Sequence, residues 1–517
     1  MKPESALARA LPTVAAMGLS VLLSLYFVDR NPLLNDDAYG YLHAAQVFQQ
    51  QGLRSVLDLY GWYGYSIVIA LLDHLTPGGL LQSAHWLNAF SYMLLVGAFI
   101  RLATQLHPAP TPRLRWFAAF TILLFPQINE MRYFLIRDFG YWAFALWSLS
   151  VLIDFNAQPR RRTAITWCLC VLLATGFRLE GLLILGFVPL WFSLPPRRGQ
   201  HWDLRKLTYL WSVLGAGVAL MVMLCYLASI DLFALIGFAY RYYLPLLFNL
   251  GGSVRDTTAE LTQVLFAPDN FPGAENLWYG GVIIGFAYAF TVLVNLMQTL
   301  SLPLTVLLAW GWTRGLLRPL PEAARPLAAY LWSALVALTL FMFIMHFLTQ
   351  RYAVLLCLVL LAQVPLLLDH LAQAAREQGA LPKFRWTLAA FCLYYFVDSF
   401  ISFGYSRAYV ENAIAWVKSD LPASATLYTN DRAVAYESGR IEDYDLVSND
   451  ASLALQQAQP GNYLVLNVRL NDLMLRDDLA QQHDLALRKN FSNTRGDEIR
   501  VYQKLAYDLV APSGTPY

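Results

Sequence analysis

Apolar runs close to 20 residues long recur through the first four-fifths of the chain, separated by short polar stretches. A helix needs about 20 such residues to cross a hydrocarbon core, so the pattern predicts membrane spans. The first runs are Leu11–Val28, Leu80–Leu102, Trp116–Pro126 and Phe139–Phe155. Two more meet at Gly176-Phe177-Arg178-Leu179-Glu180-Gly181, and Leu207–Ser229 follows. Trp278–Trp312 is long enough for an interfacial helix and one span. Pro326–Leu348, Ala353–Leu371 and Trp386–Gly404 bring the series to about eleven. From Ser406 the pattern becomes that of a water-soluble domain: Ala408–Ser419 reads as a helix, and Thr426–Thr429, Tyr463–Val468 and Ile499–Gln503 as short strands. The expected architecture is an α-helical polytopic membrane protein over residues 1–404 with a small α/β domain over 405–517. Within the first long loop, Ala38 to Gln51 has helical spacing, and the aromatics of Gly61-Trp62-Tyr63-Gly64-Tyr65 suit a headgroup layer.

Composition agrees: 57% of the 517 residues are hydrophobic. The net charge of +2 says little, but the placement of the basic residues sets a topology. Lys2 and Arg9, Arg113 and Arg115, Arg160-Arg161-Arg162, Arg205-Lys206, Arg314 and Arg318, and Arg376 with Lys383 and Arg385 fall in alternate loops. The positive-inside rule makes those loops cytoplasmic and puts the others, with the C-terminal domain, on the periplasmic face of a bacterial inner membrane. The N-terminal run reads as a retained first span rather than a cleaved signal peptide. The five cysteines lie in apolar runs, without disulfide or zinc spacing. The lipid bilayer is the expected surroundings, and no nucleic-acid partner is expected.

On this topology the unusual polar residues collect on the outer side. Asp36 and Asp37 follow the first span; Glu130, Arg137 and Asp138 occupy the second outer loop; Arg178 and Glu180 the third turn; Arg241 the long fourth loop; Arg351, with Tyr352, the end of a late span. Each has a plain explanation: Asn35 or Asp36 as a helix cap, Arg137–Asp138 and Arg178–Glu180 as local neutralisation, Arg351 as a snorkel to lipid. Together they suit a sugar donor held on a lipid phosphate. Arginine grips phosphate with a planar fork, and a carboxylate within reach of a hydroxyl acts as general base. No nucleotide is available outside the inner membrane, which favours a polyprenyl-phosphate-linked sugar over a nucleotide sugar. The candidate substrate-binding residues are therefore Arg137, Asp138, Arg178, Glu180, Arg241, Arg351 and Tyr352. Asp36 and Asp37 could also hold a divalent cation such as Mg²⁺ or Mn²⁺ against the phosphate. Adjacent helical residues do not share a face, so one would meet the acceptor while the other binds metal or caps the helix.

Several of these stretches resemble a family. Asp36-Asp37 followed by Tyr39-x-Tyr41 and an Ala-rich helix looks like the first external loop of GT-C superfamily glycosyltransferases, which include protein O-mannosyltransferases and lipid A aminoarabinose transferases. Arg137-Asp138 entering a span, and Arg351-Tyr352 before a late one, are similar too. Phe177-Arg178-Leu179-Glu180-Gly181 stands where many members have Arg-Pro-Glu-Gly, with Leu179 in place of the proline. Asn412-Ala413-Ile414-Ala415-Trp416-Val417, Leu421-Pro422 and Tyr436-Glu437-Ser438-Gly439 resemble the soluble tail of bacterial members. The resemblance implies an inverting glycosyltransferase with Asp36 as base and Asp37 as its partner. The acceptor would be a hydroxyl on a glycan, a lipid or a protein. Two other readings fit a multispan, arginine-rich chain less well. An O-antigen polymerase or ligase on a diphosphate carrier would not need the acidic pair, and a transporter would place its charges near the midplane.

Overall fold

The computed structural model describes residues 6–31, 33–59, 64–195, 203–227, 277–401, 407–441, 447, 450–469 and 483–505. The chain divides into two compact units, Met1–Val28 with Val47–Ile401, and Asp29–Gln46 with Ser402–Tyr517. The described part is mostly helical, with one small sheet near the C-terminus.

The first helices are α1 (Ala6–Arg30), α2 (Asp36–Gln51), α3 (Leu53–Leu59), α4 (Gly64–Asp73) and α5 (Gly79–Gln105). Next come α6 (Pro112–Leu123), α7 (Pro126–Glu130), α8 (Asp138–Ala157), α9 (Arg161–Phe177), α10 (Gly181–Ser193) and α11 (Leu204–Leu227). After the long loop stand α12 (Leu277–Leu300), α13 (Leu302–Thr313), α14 (Pro321–Met345), α15 (Gln350–Leu361), α16 (Val364–Glu377) and α17 (Leu381–Phe400). Among the described residues five stretches are long and apolar enough to cross a membrane: Ala10–Arg30, Gly79–Gln105, Val282–Leu300, Pro321–Phe343 and Gln350–Glu377. Other apolar runs are divided. The run Trp116–Pro126 becomes the 12-residue α6 and the separate α7, because Pro126 cannot continue a helix and instead starts one. Ser301, at φ 69°, separates α12 from α13.

In the first unit α8 packs between α5 and α9 around the fully buried Trp142 and Trp167. Tyr330 of α14 ties these helices together: its hydroxyl lies 2.6 Å from Ser148 Oγ and accepts from Trp167 Nε1 at 3.1 Å. At the far end of α8, Arg101 Nη2 and Gln105 Nε2 both reach Asp154, at 2.5 and 2.7 Å. The ends of α5 and α8 therefore lie side by side.

The second unit contains the start of α2, then α18 (Ala408–Ser419), α19 (Arg432–Ser438) and α20 (Ala451–Gln457). Its strands are β1 (Leu427–Thr429), β2 (Tyr463–Val468), β3 (Leu485–Ser492) and β4 (Glu498–Lys504), in sheet order β1-β2-β4-β3. β1 and β2 are parallel, so a crossover must join them, and α19 and α20 lie within it. The Asp431 carboxylate starts α19 by accepting from Ala433 N and Val434 N at 2.9 and 3.0 Å. Gly439, at φ 65°, ends it. The α18, β1, β2 and β4 segments match the sequence expectation. β3 has no clear alternation because most of its residues are exposed at a sheet edge.

Candidate active site

Arg137 is the residue before α8, and Asp138 opens its first turn. An acid there is favoured by the unpaired amides of a helix start. Asp138 is buried, at 1% exposure. Its partner comes from the turn between α9 and α10. Arg178 follows α9 in extended conformation (φ −143°, ψ 135°), and Glu180 precedes α10. The turn is closed by Arg178 N donating to Ala174 O at 2.9 Å and Gly181 N to Arg178 O at 3.0 Å. Gly140 lets this turn approach α8, since a Cβ on residue 140 would sit 2.4 Å from the Phe177 ring.

The Arg178 guanidinium forks across two carboxylates, Nη1 on Asp138 Oδ1 and Nη2 on Glu180 Oε1. The other Asp138 oxygen faces Arg351 Nε at 3.8 Å. Arg351 stands in the first turn of α15, next to Tyr352. The Tyr352 ring lies 4.9 Å from Arg178 Cζ and 5.4 Å from Arg351 Cζ, within range of a cation–π contact with each. The buried Tyr141 ring is 5.9 Å from Arg178 Cζ. Burial by itself would raise the Glu180 carboxyl, but Arg178, by charge and hydrogen bond, and Arg137, by charge, hold it below the usual carboxylate range. Exposure divides the cluster. The Arg178 and Asp138 side chains are 5% and 2% exposed, those of Arg351 and Glu180 27% and 29%. A ligand can therefore meet Arg351 and Glu180, while the other pair lies behind them.

Asp36 and Asp37 belong to the second unit, in the first turn of α2. Asp36 is exposed and Asp37 half-buried. The turn is closed by Ala38 N donating to Asn35 O at 2.9 Å. Behind the acids, Tyr39 is buried with its ring 5.2 Å from that of Tyr436, and Arg407 Nη1 donates to Leu34 O at 3.4 Å. Burial, with the charges of Glu437 and Asp431, raises the Tyr39 phenol well above its ordinary pKa, against a smaller opposing effect of Arg407. Among the described residues no group of three His, Cys, Asp or Glu is placed to hold a metal. Two carboxylates on consecutive helical positions do not by themselves make a resident metal site.

Of the expected site residues, Asp138, Arg178, Glu180, Arg351 and Tyr352 come together, and Arg137 acts on Glu180 by charge. Arg241 lies outside the described residues, as do Gly61–Tyr63 and the long loop. Arg132 has a role that sequence reading missed. It is buried, with Nε on Asn129 Oδ1 at 2.7 Å, Nη1 reaching Ser20 O, Ser20 Oγ and Ser24 Oγ, and its guanidinium 4.5 Å from the Tyr92 ring. It ties α1 to the loop before α8. The only sequence signal was an arginine beside an apolar run, which snorkelling explains equally well.

No family model and no curated protein matches the sequence. Solved structures do. The oligosaccharyltransferase of Archaeoglobus fulgidus, in complex with Zn and sulfate, superposes with a TM-score of 0.53 at 12% identity, over 95% of this chain and 74% of that one. ArnT from Cupriavidus metallidurans, in the apo state, gives 0.52 at 13% identity, over 95% of this chain and 98% of that one. The archaeal oligosaccharyltransferase AglB from Archaeoglobus fulgidus, in complex with an inhibitory peptide and a dolichol-phosphate, gives 0.50 at 13% identity over 90% of this chain and 70% of that one. The chain shares the fold of these structures. At such low identity the likeness reaches the backbone and no further, so the chemistry must be argued from the side chains.

Proposed function

We propose that this protein is a membrane glycosyltransferase that moves a sugar from a polyprenyl-phosphate carrier to an acceptor hydroxyl. The observation that carries the reading is the Arg178–Asp138–Arg351 cluster, with Arg351 accessible, in a chain that shares the fold of those structures. A neighbour of that fold was solved with a dolichol-phosphate, which supports a lipid-phosphate carrier here. The finer parts of the proposal are about eleven spans over residues 1–404, a soluble domain over 405–517, and an active site on the periplasmic face of a bacterial inner membrane. A hexose or pentose is the transferred sugar.

In this mechanism Asp36 takes the proton of the acceptor hydroxyl, and the oxygen attacks the anomeric carbon. The bond from that carbon to the phosphate oxygen breaks with inversion. Its electron pair leaves with polyprenyl phosphate, and the proton stays on Asp36 until water removes it. The phosphate gains negative charge as the bond breaks, so a guanidinium at that oxygen holds the transition state more tightly than the substrate. Arg351 is assigned that contact. Arg178 fixes Asp138, and Asp138 orients Arg351. Asp37 and Glu180 position the acceptor and sugar hydroxyls, and Arg137 and Arg241 add positive charge toward the carrier. A cation shared between Asp37 and the phosphate is compatible with the acidic pair, and the steps above do not use it.

The test supplies purified polyprenyl-phosphate sugars to the wild type and to Asp36→Asn in membranes, with mass analysis of the product. The wild type should consume at least one donor, and Asp36→Asn should consume it at least about 100-fold more slowly while accumulating normally. Undiminished turnover by the variant removes Asp36 from the role of base. Failure of the wild type with a broad panel of donors overturns the reading.

A further inference from the structure

The opposite end of the helical unit carries a second polar feature that the transfer reaction does not use. Asp138 opens α8, and the ends of α5 and α8 meet at Arg101, Gln105 and Asp154, about 24 Å further along the helix. α6 starts there, shortly after α5 ends. The start of α6, the last turns of α16 and the start of α17 border an open cavity of about 520 Å³. Arg113, Arg376 and Arg385 line it, with Phe117, Phe384 and Leu388 among its apolar walls. No carboxylate is among the residues that line it.

The three arginines are not equivalent. Arg113 is engaged: its Nε donates to Asp369 Oδ1 at 2.6 Å, and His107 Nε2 lies 4.0 Å from the other oxygen of that carboxylate. Arg376 and Arg385 are exposed, and their side chains make no hydrogen bond or ion pair among the described residues. The nearby Glu377 accepts instead from Gln373 Nε2 at 3.1 Å. Like charges gathered on one cavity without an acceptor call for an anion, and a planar fork of donors suits phosphate.

Two features make that phosphate a lipid's. Arg376 stands at the end of Gln350–Glu377, a stretch long and apolar enough to cross a membrane, and so at the depth where headgroups lie. An apolar groove also begins where the cavity ends. Phe117 and Leu388 line both, and the groove continues along Phe120, Leu124, Phe391 and Tyr395. Its enclosed volume is only about 30 Å³, so an acyl chain would lie along it rather than in a tunnel. We infer that Arg376 and Arg385 bind the phosphate of an anionic phospholipid, whose acyl chain follows the groove between α6 and α17.

The experiment uses the full chain, purified and incorporated into lipid discs. Retained lipid is counted by native mass spectrometry after exchange with equal amounts of dioleoyl phosphatidylglycerol and dioleoyl phosphatidylcholine. The wild type should retain phosphatidylglycerol at least about tenfold over phosphatidylcholine, since each basic group near an anionic surface strengthens binding severalfold. Arg376→Gln with Arg385→Gln should bring the ratio close to one. Leu388→Trp, which leaves the charges in place and fills the junction, should lower phosphatidylglycerol retention on its own and decides the matter if the double variant does not accumulate. Equal retention of the two lipids by the wild type, or no effect of these substitutions, overturns the inference. So does displacement of the lipid by millimolar glycerol 3-phosphate, which would show a site for a free anion.

Discussion

Arg351 Nε lies 3.8 Å from Asp138 Oδ2, the carboxylate oxygen that Arg178 does not occupy. Asp138 thus stands between two guanidiniums, one buried with it and one reaching an accessible face. The inner pair is buried, and the outer arginine is accessible to a ligand. That division makes the cluster testable residue by residue.

Asp138→Ala leaves the Arg178 cation buried beside Glu180 alone. Breaking a buried pair from one side costs about 3–5 kcal/mol. Thermal unfolding in detergent should show that loss directly. Asp138→Asn with Arg178→Gln should cost less than the two single losses summed, because the groups share one interaction.

Arg351→Ala should cost less in unfolding than Asp138→Ala, since its side chain is partly exposed where that of Asp138 is buried. Transfer should fall roughly 10- to 100-fold in kcat/KM, the worth of about 1.5–3 kcal/mol for a charged hydrogen bond. Arg351→Lys should recover only part of it, because an ammonium cannot reproduce the fork. An unfolding loss as large as that of Asp138→Ala would make Arg351 a structural residue.

Asp36→Asn should lower kcat by about 10²–10⁴-fold, the range of a general base. Asp37→Asn should cost less. Asp36→Asn should shift stability by under about 1 kcal/mol, as this exposed residue gives up a favourable charge in the first turn of α2. The kinetic order Asp36 before Asp37 is the readout, and a reversal exchanges their roles.

Gly140→Ala drives a methyl into the Phe177 ring and should destabilise by about 1–3 kcal/mol. Phe177→Leu in the same chain should relieve part of the clash. Full activity and stability of Gly140→Ala alone would show that the α8–turn approach is looser than described.

Tyr39→Phe should leave stability unchanged or raise it by up to about 1 kcal/mol, because the buried hydroxyl has no hydrogen-bond partner among the described residues. The sign with pH follows. The folded phenol holds its proton above the unfolded value near 10, so its contribution is complete below that pH and is lost as the pH rises beyond it. The Phe variant should be less alkali-sensitive in unfolding experiments than the wild type.

Much of this molecule was legible in residue order. Hydropathy runs of helical length marked where α1, α5, α8, α14 and α17 would stand, because burying a helix in an apolar surrounding requires apolar residues all along it. Ala408–Ser419 and Tyr463–Val468 were readable to the residue, since an amphipathic helix leaves a period of 3.6 and a strand buried on both faces leaves a short apolar run. Edge strand β3, exposed along most of its length, left no such trace.

The residue types of the site were also present in the sequence: Arg137-Asp138, Arg178 with Glu180, and Arg351-Tyr352 are unusual beside apolar runs. Which of them pair could not be read there. Arg178–Glu180 looked like a local neutralisation, and Arg178 does bond Glu180, but its other nitrogen crosses to Asp138, 40 residues away in sequence. That contact needs the close approach of Gly140 to Phe177, a meeting of two helices that no local pattern encodes. Sequence by itself determined the helices, the tail and the chemical types available, because those depend on neighbours along the chain. Tertiary structure alone decided that Arg178 is buried, that Arg351 is reachable, and that Arg376 and Arg385 share a cavity, because burial and pairing depend on neighbours in space.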